Sequence, residues 1–450
     1  MALTGIEIFK KLPKTNCGEC GVPTCLAFAM KLAAGQAELS SCPYVSEEAK
    51  AALEEASAPP IRPVTIGVGD KALKIGGETV MFRHEKRFVN PPGIAILISD
   101  NMGDGEVEDR LRKLKELKYE RVGLTLQADL AALRCDSGDA AKFENMAKKV
   151  KEKLNGQGLI LMSFSPEVLK GAALACADKK PLLYAATKEN VDAMAALAKE
   201  ISAPLAVKGN NLDELAELTT KLTAAGLKDL VLDSGARTAG KALEDQIIIR
   251  RAALMKKFRP LGFPTILFPC EMTNDPMQEA LLASIFIAKY GGIIVLSDLE
   301  GHALFPLLLE RMNIYTDPQR PMATTEGIYE IGGPGADSPV LITSNFSLTY
   351  FIVSGEIEGS RIPSWLLVKD TEGLSVMTAW AAGKFGADVI APFVKKCGIA
   401  DKVKHRKLII PGYAAVISGE LEEELPDWQI LIGPREAAHI PAFLKMWKPE

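Results

Sequence analysis

No apolar run in this chain approaches the roughly 20 residues that a membrane-spanning helix needs. The opening Met-Ala-Leu-Thr-Gly lacks the basic and apolar regions of a signal peptide, so no membrane partner and a cytoplasmic location are expected. No Lys/Arg run interleaves with aromatics, and the net charge is −4 with a pI of about 5.9. A polyanion such as nucleic acid is therefore not an expected partner. Histidine is scarce, with four in 450 residues. His84 and His302 have no ligand-type neighbour two to four residues on, and His405 and His439 sit in basic or amphipathic surroundings. That pattern argues against a histidine-based metal site. A G-x-G-x-x-G fingerprint is missing after every expected strand, which disfavours NAD and FAD. Four cysteines (Cys135, Cys176, Cys270, Cys397) are isolated in sequence and read as small buried residues in a reducing compartment.

The other four cysteines are concentrated. Cys17, Cys20, Cys25 and Cys42 read C-x2-C-x4-C-x16-C, with Pro43 after the last and a glycine after each of the first two. Thiolate-only ligation suits a [4Fe–4S] cluster or a structural zinc. The first three cysteines share one tight loop, Asn16 to Cys25, whereas structural zinc more often pairs two separated C-x2-C knuckles. The cluster is the favoured reading, with zinc or a disulfide framework as alternatives. The chain is expected to move electrons.

At this length and 48% apolar content one core is too small, so about three domains are expected. Ile6–Leu12, Leu26–Leu39 and Ser46–Ala56 read as helical pieces of a cluster module over 1–58. Residues 59–92 read as a linker followed by short hairpins: Ala58-Pro59-Pro60-Ile61-Arg62-Pro63 is stiff, and Val64–Val89 alternates around glycines. From Gly93 short apolar runs alternate with amphipathic stretches. They are Ile94–Ser99, Arg121–Gln127, Gly158–Phe164, Pro181–Ala186, Pro204–Lys208, Asp229–Asp233, Pro264–Pro269 and Ile293–Ser297. Eight βα units in 93–326 match a (β/α)8 TIM barrel better than an open sheet. Gly327–Pro339, with its Gly-Gly-Pro-Gly, reads as a second linker opening a smaller α/β domain over 327–450. Its expected strands are Val340–Ser344, Trp365–Lys369, Lys407–Pro411 and Gln429–Ile432.

Ligands of an open parallel sheet lie beyond the carboxyl ends of its strands. Here those ends read Thr343-Ser344-Asn345-Phe346, Asp370-Thr371-Glu372-Gly373-Leu374-Ser375, Gly412-Tyr413-Ala414 and Gly433-Pro434. Small and hydroxyl-bearing residues along one edge permit a flat, bulky ligand to approach the backbone; ordinary strand–helix turns favour the same residue types. The barrel strand ends offer Asp100, Asp233, Glu271 and Asp298, from which an acid–base pair can be assembled. No short motif singles one out.

The order of parts, together with Asn-Cys-Gly-Glu-Cys-Gly-Val-Pro-Thr-Cys-Leu-Ala-Phe-Ala at 16–29, Cys42-Pro43 and Asp-Thr-Glu-Gly-Leu-Ser at 370–375, resembles the large (gamma) subunit of corrinoid iron–sulfur proteins. These are components of the acetyl-CoA decarbonylase/synthase system, and the resemblance spans essentially the whole chain. It implies a small [4Fe–4S] domain, a central TIM barrel and a C-terminal Rossmann-like α/β domain that binds a corrinoid. It implies a methyl carrier of the reductive acetyl-CoA pathway in an anaerobe. A methyl group arrives from methyltetrahydrofolate through a separate methyltransferase and leaves to acetyl-CoA synthase, and the cluster reactivates Co(II). A small subunit (as heterodimer partner) and a reductive activator are implied as well. By position, the resemblance assigns cluster ligation to Cys17, Cys20, Cys25 and Cys42. Corrinoid contact falls to Thr343, Ser344, Asn345, Phe346, Asp370, Thr371, Glu372, Gly373, Leu374, Ser375, Gly412, Tyr413, Ala414, Gly433 and Pro434. Other corrinoid carriers use Asp-x-His-x-x-Gly to ligate cobalt; its absence here implies base-off, His-off cobalt above Thr371, Ser375 or water. The competing expectations are an electron-transfer subunit and a self-contained barrel methyltransferase binding folate at Asp100, Asn210 and Asp233.

Overall fold

A computed structural model describes residues 5–33, 37, 39–46, 49–50, 53, 58–121, 124–318 and 321–449. The expected helix Ser46–Ala56 falls largely outside them. The chain divides into two compact units. The first holds the residues up to Met81, Phe88–Glu116 and Ala128–Ile314, and the second holds Phe82–Arg87, Leu117–Gln127 and Tyr315–Glu450.

Helices α1 (Gly5–Lys11) and α2 (Cys25–Ala33) build the N-terminal module around Ile8, Leu12, Val22, Phe28 and Leu53. Next, β1 (Val64–Ile66) and β2 (Leu73–Ile75) form an antiparallel hairpin, as the alternation at 64–89 predicts. The preceding Pro59–Pro63, expected as a stiff linker, packs onto the first unit. Ile61 and Arg62 are buried, and the Arg62 amide donates to the Gly262 carbonyl at 2.9 Å. Ile61 is held by the segment after the hairpin, its amide donating to the Glu78 carbonyl at 3.4 Å and its carbonyl accepting from the Gly77 amide at 2.9 Å.

The barrel follows the βα rhythm. Its strands are β3 (Gly93–Ser99), β6 (Leu130–Arg134), β7 (Gly158–Met162), β8 (Leu182–Ala186), β9 (Leu205–Lys208), β10 (Leu230–Asp233), β11 (Ile266–Leu267) and β12 (Ile293–Leu296). Intervening helices are α3 (Asp104–Glu116), α4 (Ala140–Lys153), α5 (Pro166–Ala175), α6 (Val191–Glu200), α7 (Leu212–Ala224), α8 (Ala239–Met255) and α9 (Pro276–Ala288), with α10 (Gly301–Ile314) after the last strand. All eight strands pair in parallel, in the order β10-β9-β8-β7-β6-β3-β12-β11. A parallel bridge between Leu232 and Thr265 nearly closes the two edges on each other. Inward Ala95, Leu97, Ala132, Ile160, Met162 and Phe268 fill the interior, with Val64, Ile66 and Ile75 of the hairpin in the same core.

One strand is displaced from expectation. Residues 121–127 do not enter the barrel. Instead β4 (Tyr119–Arg121) and β5 (Leu124–Leu126) form a two-stranded antiparallel ribbon, and Leu130–Arg134 takes the barrel position. A strand buried on both faces needs a continuous apolar run. Leu130-Ala131-Ala132-Leu133 is one, whereas Glu120 and Thr125 put polar groups into the ribbon.

In the second unit, β13 (Gly327–Ile331) pairs antiparallel with β15 (Ser364–Lys369) at one edge of a five-stranded sheet. The expected linker at 327–339 thus begins as an edge strand, because Ile328, Tyr329 and Ile331 cover the sheet while the glycines after them make the turn. The other strands, β14 (Val340–Ser344), β15, β16 (Lys407–Ile410) and β17 (Gln429–Ile432), are parallel, and the sheet order is β13-β15-β14-β16-β17. Helices α11 (Ser347–Ser360), α12 (Val376–Ala381), α13 (Ala387–Lys396), α14 (Ile399–Lys402), α15 (Ser418–Glu424) and α16 (Ile440–Leu444) complete it. Among the described residues no helix is long and apolar enough to cross a membrane.

Candidate functional site

The strand order dictates where a ligand fits. From β14 the chain moves to β15 on one side and later to β16 on the other, so the crossovers diverge between β14 and β16. Such a switch point opens a crevice beyond the carboxyl ends of the strands. A cavity of about 330 Å3 lies there, lined by Thr343 of β14, Ile409 and Ile410 of β16, Thr349, Ile352 and Val353 of α11, and Ser375, Val376 and Met377. Tyr413, Gly433, Pro434, Arg435 and Glu436 also line it. Apolar side chains are left exposed on the surrounding segments: Leu348, Ile352, Met377, Trp380, Tyr413, Val416 and Ile432. A monomer that exposes this many large apolar groups in one region has a surface made to be covered.

The structure sorts the expected ligand residues. Thr343, Ser375, Tyr413, Gly433 and Pro434 line the cavity; Ser344, Asn345, Phe346, Gly412, Ala414 and the Asp370–Leu374 loop do not. Gly412 and Gly433 are dictated by backbone approach: a Cβ on Gly412 would stand 2.6 Å from the Gly433 carbonyl oxygen, and one on Gly433 would stand 2.9 Å from that of Ile410. Thr371 is fully buried, its hydroxyl spent on Asn345 Oδ1 and the Leu374 carbonyl, both at 2.9 Å. By contrast, the buried hydroxyls of Thr324, Thr343, Ser344 and Ser347 find no hydrogen-bond partner among the described residues. Each such group costs about 1–3 kcal/mol until a ligand or water satisfies it.

The barrel mouth is tied up by its own side chains. Asp233 is buried, accepts from the Tyr184 phenol at 2.6 Å and pairs with Arg237 at 2.9 Å. Burial and the Asp233 charge push the Tyr184 phenol well above its usual range. Glu271 bridges Arg237 and Arg134, and Arg134 continues to Asp136. Asp100 accepts from the Asp136 and Ser137 amides and from the Ser137 hydroxyl. Burial opposes its ionisation, yet those hydrogen bonds hold its carboxyl below the usual range. Asp298 pairs with Lys113 at 2.8 Å, and Asn210 with Glu214. No two candidate carboxylates are left to share a substrate proton.

In the N-terminal module, positive φ at Gly18 and Gly21 turns the loop between the cysteines. Asn16 braces it: its Oδ1 accepts from the Cys25 amide at 2.8 Å, and its own amide approaches Cys25 Sγ at 3.4 Å. Cys25 and Cys42 are buried in the module core, Cys20 is half-buried and Cys17 is exposed. Among the described residues no three His, Cys, Asp or Glu side chains are gathered tightly enough to hold a single metal ion.

Comparison with known proteins shows the family. The family model "CO dehydrogenase/acetyl-CoA synthase delta subunit" matches residues 63–444, and an Fe-S cluster model matches 12–44. The corrinoid/iron-sulfur protein large subunit of Moorella thermoacetica is 50% identical over 99% of both chains. The chain belongs to the corrinoid/iron–sulfur protein large-subunit family. Gamma subunits of the acetyl-CoA decarbonylase/synthase complex are similar too: that of Methanopyrus kandleri is 36% identical over 98% of this chain and 97% of its own, and that of Methanosarcina acetivorans 39% over 99% of each. For a corrinoid/iron–sulfur large subunit, sequence reasoning missed the helical wall of the cavity. Thr349, Ile352 and Val353 recur at helical spacing, but an apolar helix face reads as core whichever surface it meets.

Proposed function

We propose that this chain carries methyl groups on a corrinoid bound at the carboxyl edge of the five-stranded sheet, in partnership with a [4Fe–4S] cluster held by Cys17, Cys20, Cys25 and Cys42. The observation that carries the reading is the cavity at the switch point, apolar in its walls and flanked by buried hydroxyls without partners. These residues suit a broad, largely apolar macrocycle whose periphery bears hydrogen-bonding groups. When bound, a corrinoid supplies a reducible cobalt able to accept and release a methyl group, and the cluster supplies the electron that restores it.

The chain's own part is to bind and to withhold. Thr343, Ser375, Tyr413, Gly433 and Pro434 would meet the ligand, with Ile352, Val376 and Met377 packing against its apolar faces. His405 cannot serve as an axial donor. Its Nε2 lies 2.9 Å from the Ser338 carbonyl, its Nδ1 accepts from the Lys407 amide, and its ring packs edge-on against Trp447. A corrinoid held here without a histidine donor would be easier to reduce, since axial ligation is a main lever on a macrocyclic metal. The partners this reading requires are the small subunit, a methyltetrahydrofolate methyltransferase, acetyl-CoA synthase and a reductive activator, in the cytoplasm of an anaerobe. The internally paired Asp100, Asn210 and Asp233 favour the barrel as scaffold over a folate site of its own.

The test is metal content and absorption of anaerobically purified protein supplied with corrinoid. About four irons and one cobalt per chain, with a Co(I) band on low-potential reduction, are expected. Iron without cobalt after reconstitution would leave an electron-transfer subunit in its place.

A further inference from the structure

Asn345 stands beyond the carboxyl end of β14, yet it does not line the cavity and is 4% exposed. Its side chain is devoted to one loop. Oδ1 accepts from the Thr371 and Gly373 amides, each at 3.0 Å, and from the Thr371 hydroxyl at 2.9 Å. Nδ2 donates to Asp370 Oδ1 at 2.8 Å, and that oxygen also accepts from the Glu372 amide at 2.9 Å. The loop needs such a hold, because Glu372 and Gly373 both lie at positive φ, 58° and 76°. A non-glycine residue there costs about 1 kcal/mol or more. Gly373 is also pressed against Pro321, whose carbonyl oxygen would be 2.9 Å from an added Cβ. Directly after the loop come Ser375, Val376 and Met377, which do line the cavity.

We propose that Asn345 is the positioning residue of the corrinoid site: it locks Asp370–Leu374 so that the Thr371 hydroxyl turns inward and Ser375–Met377 stand at the ligand. The proposal rests on the corrinoid reading above. It moves Asn345 and Thr371 from ligand contact to loop architecture. Ligand affinity then depends on a residue that does not line the cavity.

A polarity exchange tests it in the full chain. Asn345→Asp keeps the acceptor contacts but loses the donated hydrogen bond and sets a second carboxylate against Asp370. Adding Asp370→Asn restores one donor and one acceptor with their roles reversed. Two quantities are read: hydrogen exchange at the Thr371 and Gly373 amides without ligand, and anoxic binding of cob(II)alamin. The single variant should exchange about tenfold faster at both amides and bind about tenfold more weakly, and the double variant should recover both to within about threefold. Unchanged exchange, or no recovery in the double variant, overturns the hydrogen-bonding role. Faster exchange with unchanged cob(II)alamin affinity overturns the positioning role. A wild-type chain that binds no cob(II)alamin overturns the corrinoid reading itself and the ligand half of this proposal with it, while the exchange data still decide whether Asn345 holds the loop.

Discussion

The Tyr184 phenol donates to Asp233 at 2.6 Å across the barrel mouth, and Arg237 closes on the same carboxylate while lying 4.8 Å over the Phe268 ring. The carboxylate is neutralised and braced. Arg237→Ala strands a buried charge and should destabilise the first unit by about 3 kcal/mol. Tyr184→Phe removes the hydrogen bond donated to Asp233 and the one accepted from Arg237 at 3.3 Å, and should cost about 1–3 kcal/mol. Denaturant unfolding followed alongside cobalt content checks both: stability should fall while the folded protein keeps its corrinoid. Loss of corrinoid at unchanged stability would return the barrel mouth to the functional site.

The sequence made some of this legible and hid the rest for physical reasons. The cysteine loop was legible because ligand chemistry constrains residue type and spacing together. The barrel rhythm was legible because parallel strands covered on both faces must be apolar throughout, as in Ile94–Ser99 and Ile293–Leu296. The slip at Arg121–Gln127 arose because Leu124 and Leu126 mimic such a run, while the true strand, Leu130–Arg134, carries two alanines of low strand propensity. The edge strand Gly327–Ile331 was masked by the glycines that end it. The strand-end side of the cavity was legible, but its helical wall was not, since Ile352 and Val353 meet an opening only because the crossovers from β14 and to β16 diverge.

Gly412 and Gly433 lie where two strand-end loops touch, joined by the Gly412 amide donating to the Pro434 carbonyl at 3.0 Å. Gly412→Ala would drive a methyl group into the Gly433 carbonyl, 2.6 Å away, and the backbone must yield. Overpacking of this kind costs about 1–3 kcal/mol. Thermal unfolding should show the loss, together with weaker cob(II)alamin binding because Tyr413, Gly433 and Pro434 line the cavity. An unchanged melting temperature would refute the tight approach.

Burial pushes the Cys270 thiol up to about 12, with the Glu271 charge adding to it. A free thiol titrates near 8.5, so above that pH the unfolded chain loses a proton that the folded chain keeps. The sign follows: Cys270 favours the fold below about pH 8.5, and that contribution is lost as pH rises toward 12. Stability should decline along this alkaline limb, and Cys270→Ala should flatten it. Denaturant midpoints measured at steps from pH 8 upward, with and without the substitution, decide the matter. Identical slopes in the two proteins would show that Cys270 titrates normally.

Thr343 separates the needs of the empty fold from those of the loaded one. Its Oγ1 is buried at the cavity wall with no partner among the described residues, so the unliganded protein bears the cost of a desolvated hydroxyl. Thr343→Val keeps the shape and removes that cost. The ligand-free protein should therefore become more stable by about 1 kcal/mol or more. If the hydroxyl is kept for a polar group on the corrinoid periphery, the same substitution should weaken cob(II)alamin binding several-fold. Stability rising as affinity falls is the mark of a residue retained for function at the expense of the fold. Reduced stability with unchanged affinity would mean that the hydroxyl is satisfied within the protein, and the ligand would then lie elsewhere on this edge.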